Sequence, residues 1–188
     1  MATIRRMREA IPLSQVPALK ATVAAWLEAE WPGWYGAQGP GDLHADVEAF
    51  ARSASVLPVG LVVFQAGEPV GFGALKAASI PTHCHLSPWA ATGFVVPHCR
   101  GRGIGAFLLR AIVAHARAMG HADVYCGTST AVSLLQRSGW QPLEQVLHAG
   151  KPLSIYRTGS AGGPCVIDAA ATPPRHPEPP EAADGRSP

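Results

Sequence analysis

Residues 94–109 read Phe94-Val-Val-Pro-His-Cys-Arg-Gly-Arg-Gly-Ile-Gly-Ala-Phe-Leu-Leu109. The β-branched start is strand-like, Pro97 stops it, and from Ile104 the apolar residues fall at helical spacing. The junction carries Arg100, Gly101, Arg102, Gly103 and Gly105. Glycines accept positive φ and let a backbone approach an anion closely. A helix start adds unpaired N–H groups and the positive end of its dipole, and arginines add charge-assisted donors. The stretch therefore predicts a polyphosphate socket between a strand and a helix.

The elements around it alternate in period. Thr3 to Arg5 reads as a short strand. Ser14 or Gln15 to Glu30 reads as a helix, with Val16, Leu19, Val23, Trp26 and Leu27 at steps of three and four. The segment Trp31-Pro-Gly-Trp-Tyr-Gly-Ala-Gln-Gly-Pro-Gly41 breaks it, and Asp42 is placed to cap a second helix reaching about Ser53. Leu61–Phe64 and Val70–Leu75 flank a tight turn at Ala66-Gly-Glu-Pro69, which predicts a hairpin. Ala91–Val96 is a strand and Ile104–Met119 a helix stopped by Gly120. Its stripe is Ile104, Phe107, Leu108, Ala111, Ile112 and His115. Asp123–Cys126, Ala131–Arg137 and Pro152–Arg157 read as strand, helix and strand. The order predicts an α/β chain with a mixed sheet covered by helices.

Three readings compete for the socket: a bare glycine turn, a dinucleotide loop and a coenzyme A loop. Gly101-Arg-Gly-Ile-Gly-Ala106 formally fits G-x-G-x-x-A, but that fold wants the loop after its first strand and an acid ending the next one. Here the loop comes late and Asp123 begins the next strand. No Gly-Lys-Ser/Thr follows, so a P-loop fails too. Arg100-x-x-Gly103-x-Gly105, after Val-Val-Pro and before Ala-Phe-Leu-Leu, resembles the coenzyme A pyrophosphate loop of the GNAT N-acetyltransferase superfamily. Ala131-Val-Ser-Leu-Leu-Gln-Arg-Ser-Gly-Trp140 resembles that family's A-x-x-L-Y-x-x-x-G-F helix at a suitable distance. The hairpin strand Val70-Gly-Phe-Gly-Ala-Leu75 and the two leading helices sit where the family places them. The likeness covers roughly residues 3–157.

The resemblance implies a mostly antiparallel twisted sheet with a splayed strand pair. It implies an acetyl group moving from acetyl-CoA to a primary amine by direct attack, the pantetheine lying in the splay. On that basis Phe94, Val95 and Val96 would offer free strand N–H groups, and Arg100, Gly101, Arg102, Gly103, Ile104, Gly105 and Ala106 would hold the diphosphate. The family's tyrosine acid falls on Leu135, which cannot donate a proton; Cys126, Thr128, Ser129 and Ser133 are its neighbours. Base candidates are His83, His85 and Glu30, since a neutral imidazole or a carboxylate can take an ammonium proton. The acceptor would meet Trp31, Trp34, Tyr35 and Asp42, aromatic faces with nearby carboxylates. A small-molecule or peptide amine is the expected partner, and relatives in the family are often dimers. The non-catalytic alternative is an acyl-CoA-binding regulatory or sensor domain.

Composition bounds the rest. The chain has 188 residues, 47% hydrophobic and 15% charged, which excludes a disordered chain as a whole. Fifteen basic against thirteen acidic residues leave +2, too scattered for a polyanion surface. No apolar run reaches the ~18 residues of a membrane span. The charged N-terminus lacks the apolar core of a secretory signal. Cys84, Cys99, Cys126 and Cys165 form no CxxC pair, which suggests free thiols in the cytoplasm. His83-Cys-His85 has no second ligand pair at metal-site spacing, so no metal is expected. From Gly159 the chain is rich in Pro, Ala and Gly, and only Val166 and Ile167 are sizeable aliphatics. That predicts an acetyltransferase domain over 1–158 and a disordered tail over 159–188.

Overall fold

Val59-Gly-Leu-Val-Val-Phe-Gln65 is apolar at nearly every position, a pattern that only a strand covered on both faces satisfies. The computed structural model, which describes residues 7–148 and 150–158, places this strand, β2 (Val59–Gln65), inside a seven-stranded sheet. It is preceded by β1 (Arg8–Pro12), α1 (Lys20–Glu30), α2 (Pro32–Tyr35) and α3 (Leu43–Phe50). It is followed by β3 (Glu68–Lys76), β4 (Trp89–Val95), α4 (Ile104–Ala118), β5 (Tyr125–Thr128), α5 (Val132–Arg137), β6 (Trp140–His148) and β7 (Lys151–Thr158). The strand order is β1-β2-β3-β4-β5-β7-β6. Every neighbouring pair is antiparallel except β4 and β5, which are parallel.

Alternation along β2 divides the core. Val59, Leu61 and Val63 face α4, whose Ile104, Leu108, Leu109, Ile112 and Ala116 are buried against the sheet. Val62 faces the other way with Phe72 and Ala74 of β3, meeting Val23 and Leu27 of α1 and Val47 and Phe50 of α3. A Cβ at Gly73 would lie 2.9 Å from Ile112 Cδ1, so the glycine lets α4 close onto β3. A smaller cluster of Ile80, Trp89 and Ile155 ties the β3–β4 connection to β7.

Several expectations hold and several shift. Asp42 caps α3, its Oδ1 accepting from Ala45 N at 2.9 Å, though α3 stops at Phe50 rather than Ser53. Gly120 ends α4 at φ +91°. The first helix begins only at Lys20. Pro17 has no N–H to donate, and the chain before Lys20 makes two 3-10 turns, Leu13–Gln15 and Pro17–Leu19. The segment after Glu30 is not wholly irregular, because Pro32–Tyr35 makes one helical turn with proline at its first position. β4 spans Trp89–Val95 rather than 91–96, and β5 spans Tyr125–Thr128 rather than 123–126. β6 has no counterpart among the expected elements: Pro142 and the lack of regular alternation hide a mostly exposed edge strand. The strand expected at residues 3–5 and the tail from residue 159 lie outside the described residues, and the first observed strand is Arg8–Pro12. Among the described residues no helix is long and apolar enough to cross a membrane.

Candidate functional site

The parallel strands β4 and β5 meet at one register position, Trp89 opposite Tyr125, where Tyr125 N donates to Pro88 O at 2.9 Å. Beyond it they part. β4 carries a register shift opposite Phe72–Ala74 of β3, with Thr92 at φ +49°. Such a bulge bends a strand and re-aims its groups. The result is a gap bordered by the second half of β4 and by β5. At the far end of β4 the chain turns through Pro97–Cys99 into the glycine loop and α4.

The loop has the geometry of an anion cradle. Gly101 and Gly103 lie at φ +74° and +78°, and a Cβ at Gly101 would meet nothing within 4 Å. No side chain caps α4. Its first backbone bond runs from Phe107 N to Gly103 O at 3.1 Å, so the N–H groups of Ile104, Gly105 and Ala106 have no carbonyl behind them in the helix. A diphosphate fits this donor set, and residues 100–106 are those that could hold it. The gap adds a second fitting feature: Thr92 Oγ1 is buried at the bulge with no hydrogen-bond partner.

The expected strand donors need correcting. Val96 N donates to Val70 O at 3.0 Å and is not free. Successive residues of a strand turn their N–H and C=O groups to opposite edges, so Phe94 also faces β3, in register with Phe72. Val95 alone of the three faces the gap. Its carbonyl accepts from Arg100 Nε at 2.8 Å, on that same side.

Arg100 is tied into the scaffold. Besides Val95 it reaches Glu30 Oε2 at 2.7 Å through Nη2, and its guanidinium lies 5.7 Å from the Phe94 ring centroid. Trp26 of α1 stacks on the same ring, centroids 5.3 Å apart. Arg100 therefore bridges the end of α1 to the end of β4, and Glu30 is its counter-ion. Arg8, which the sequence did not single out, supports the loop from β1. Its Nη2 donates to Arg102 O at 2.7 Å and its Nε to Gln65 Oε1 at 2.9 Å. A contact spanning 94 positions leaves no local signal.

The remaining candidates are dispersed. His83 is buried, its Nδ1 2.8 Å from Thr82 Oγ1 and its Nε2 3.1 Å from Glu144 Oε1 of β6, while His85 is exposed beside it. Both ring nitrogens of His83 are engaged. Tyr35 is buried and donates to Asp46 Oδ2 at 2.6 Å; burial, then that carboxylate, pushes its phenol well above the usual range. Asp42 serves as the α3 cap. Trp31 packs partly against the core, whereas Trp34 is 49% exposed and Gly41 lies against its ring. Leu135 is fully buried in the core beneath α4, not open to the gap. Thr128 Oγ1 accepts from Ala131 N at 2.9 Å and Thr130 N at 3.2 Å, so it is engaged in the turn between β5 and α5. Burial pushes the Cys126 thiol up to about 12, too weak an acid to serve a leaving thiolate.

These raised acids carry a consequence for stability. The folded chain keeps protons on Cys126, Tyr35 and Tyr125 that the unfolded chain gives up, burial being the largest cause for each. Their contribution is complete below the unfolded values and fades as pH rises through the folded ones. The thermal midpoint should therefore fall steadily from about pH 9 upward, measured by circular dichroism.

Comparison with known proteins agrees with this geometry. The model of the acetyltransferase (GNAT) family matches residues 22–140, more than half of the chain. A comparison with curated sequences finds no match. Among solved structures, an aminoglycoside 6'-N-acetyltransferase complexed with coenzyme A is 14% identical at TM-score 0.66, covering 83% of this chain and 99% of that one. The aminoglycoside 6'-N-acetyltransferase from Enterococcus faecium is 15% identical at TM-score 0.64, covering 84% and 99%. A spermidine N-acetyltransferase chimera from Vibrio cholerae is 14% identical at TM-score 0.60, covering 80% and 94%. At such identities the likeness is one of fold. A family match spanning the first helix, the glycine loop and the Ser-Gly-Trp turn goes further: the chain belongs to the GNAT acetyltransferase family.

Proposed function

We propose that the protein transfers an acetyl group from acetyl-CoA to a primary amine of a small molecule or peptide, by direct attack in a ternary complex. The observation that carries this reading is the uncapped α4 start, with two left-handed glycines, set beside a strand pair joined at one position. The loop from Arg100 to Ala106 holds the diphosphate through backbone N–H groups and Arg102. The Val95 N–H lies along the gap as a donor to the pantetheine arm. When bound, acetyl-CoA supplies a thioester carbonyl, activated by preorganised donors, and a thiolate leaving group. Much of the acceleration comes from holding the amine against that carbonyl.

No side-chain acid is required in this scheme. Leu135 offers none, and a thiol of ordinary pKa, about 8.5, leaves readily as thiolate. The base is also dispensable: Glu30 is held by Arg100 and His83 by Glu144. The acceptor then attacks as the neutral amine that water has already deprotonated. Glu30→Gln tests this. Losing an exposed ion pair costs at most about 1 kcal/mol, and kcat should fall less than about threefold, against the roughly hundredfold or more for removal of a general base. Stopped-flow or steady-state assay of thiol release reads the difference.

A second reading, an acyl-CoA sensor without catalysis, draws on the same Leu135. Acetyl-CoA offered with a broad amine panel separates the two: thiol release with an acetylated product supports the enzyme, and binding without release supports the sensor. The free cysteines Cys84, Cys99 and Cys126 fit a reducing, cytoplasmic setting.

A further inference from the structure

We propose that Arg8, braced by Gln65, is a positioning residue for the coenzyme A diphosphate. It locks the Arg102–Gly103 peptide with the carbonyl turned toward β1 and the Gly103 N–H turned into the cradle. The inference rests on the coenzyme A reading of the loop and adds the residue that keeps the loop in its binding form.

Alternation at the edge of the sheet puts the brace in place. Arg8 and Gln65 stand directly opposite each other in the β1–β2 ladder. Each lies two residues from a side chain packed in the α4 core, Ala10 and Val63, so both share the face that carries α4. Gln65 is only 8% exposed, and a buried amide needs a partner. Its Oε1 accepts from Arg8 Nε at 2.9 Å. The guanidinium is a rigid planar fork, so fixing Nε also aims Nη2, which donates to Arg102 O at 2.7 Å. Nη1 lies 3.6 Å from where a Cβ of Gly103 would stand.

The peptide that Arg8 holds is one that turns easily. Glycine lacks the Cβ that restricts the sign of φ, so the unit between Arg102 and Gly103 can flip about the bonds on either side of it. This peptide is trans, and in a trans peptide the C=O and N–H point in opposite directions. With Arg102 O drawn to Arg8, the Gly103 N–H faces away from β1. Among the described residues it donates to no backbone carbonyl. Gly103 is left-handed and Ile104 begins the right-handed α4, an alternation that turns successive N–H groups to one focus. In the flipped form a carbonyl oxygen would face the diphosphate in place of a donor. Arg8 therefore acts through Arg102 O, selecting the form in which the loop is an anion cradle.

Calorimetry with coenzyme A on the wild-type chain and its variants tests this, with circular dichroism to follow the fold. Arg8→Ala should weaken binding by about tenfold, the scale of one charge-assisted hydrogen bond. Arg8→Lys keeps a donor for Arg102 O but loses the brace, so its loss should be only about threefold. Gln65→Leu should also cost about threefold. Combining Arg8→Ala with Gln65→Leu should weaken binding no further than Arg8→Ala alone, whereas independent effects would multiply to about thirtyfold. Dephospho-coenzyme A, which keeps the diphosphate but lacks the 3′-phosphate, should show the same losses. Arg8→Ala binding within about twofold of wild type, a double variant at the product of the single losses, or a loss confined to the 3′-phosphorylated form overturns the inference while leaving the loop assignment standing. A wild-type chain that binds neither coenzyme refutes the coenzyme A reading itself, and this inference with it.

Discussion

Gly103→Val is expected to weaken coenzyme A binding by about a hundredfold or more. Gly103 sits at φ +78°, immediately before α4. An L-residue there costs roughly 1–2 kcal/mol, and a β-branched one more. The valine chain relieves that cost by turning the peptide, which swings the loop N–H groups away from their common focus. Each charge-assisted hydrogen bond lost removes about 1.5–3 kcal/mol, so two account for the predicted loss. Gly105→Glu reaches the same end by another route. Its Cβ would lie 3.1 Å from Leu134 Cδ2, a contact that needs a slight shift of a leucine end. A carboxylate in the first turn suits the helix dipole but repels a phosphate. Gly120→Ala is the control: it has the same kind of strain, φ +91°, at the opposite end of α4, with open space around its Cβ. Calorimetry should show lost binding for the first two and normal binding for the third. Normal affinity in Gly103→Val would remove the loop from the site.

Trp89→Ala should produce the largest loss of stability. Trp89 is fully buried, donates through Nε1 to Leu86 O at 2.7 Å, and packs against Tyr125 with ring centroids 5.9 Å apart. It also stands at the one register position joining β4 to β5. Truncating a buried tryptophan costs about 3–5 kcal/mol, or roughly 6–20 °C in melting temperature at this size. The loss falls on the seam between the β1–β4 half of the sheet and the β5-β7-β6 half, so activity should decline with stability. Trp89→Phe keeps the ring contact and should recover most of it. A melting temperature unchanged in Trp89→Ala would show that the seam is held elsewhere.

The parts legible in the sequence were those written locally. Ile104–Ala118 announces itself by its period and by Gly120, the β2–β3 hairpin by its turn, and α3 by the Asp42 cap. The strand–loop–helix junction is legible for the same reason, since glycines, arginines and a helix start lie within seven residues. What escaped depends on distant partners. An edge strand such as β6 mixes apolar and polar residues on both faces and is mostly exposed, so its pairing with β7 decides it. The Glu30–Arg100 pair joins positions 70 apart, a distance that no local pattern spans. Arg8 beneath the loop and Glu144 against His83 are of the same kind. Edge choice within a strand also escaped: whether Phe94, Val95 or Val96 offers a free N–H follows from register with β3, which spacing alone does not set.

The most direct test is a crystal structure of the protein with coenzyme A. Diphosphate oxygens are expected within hydrogen-bonding distance of the N–H groups from Gly101 to Ala106, with the pantetheine along the Val95 edge toward Thr92. A coenzyme bound away from the start of α4, with that turn covered by protein atoms instead, would contradict the assignment of the loop.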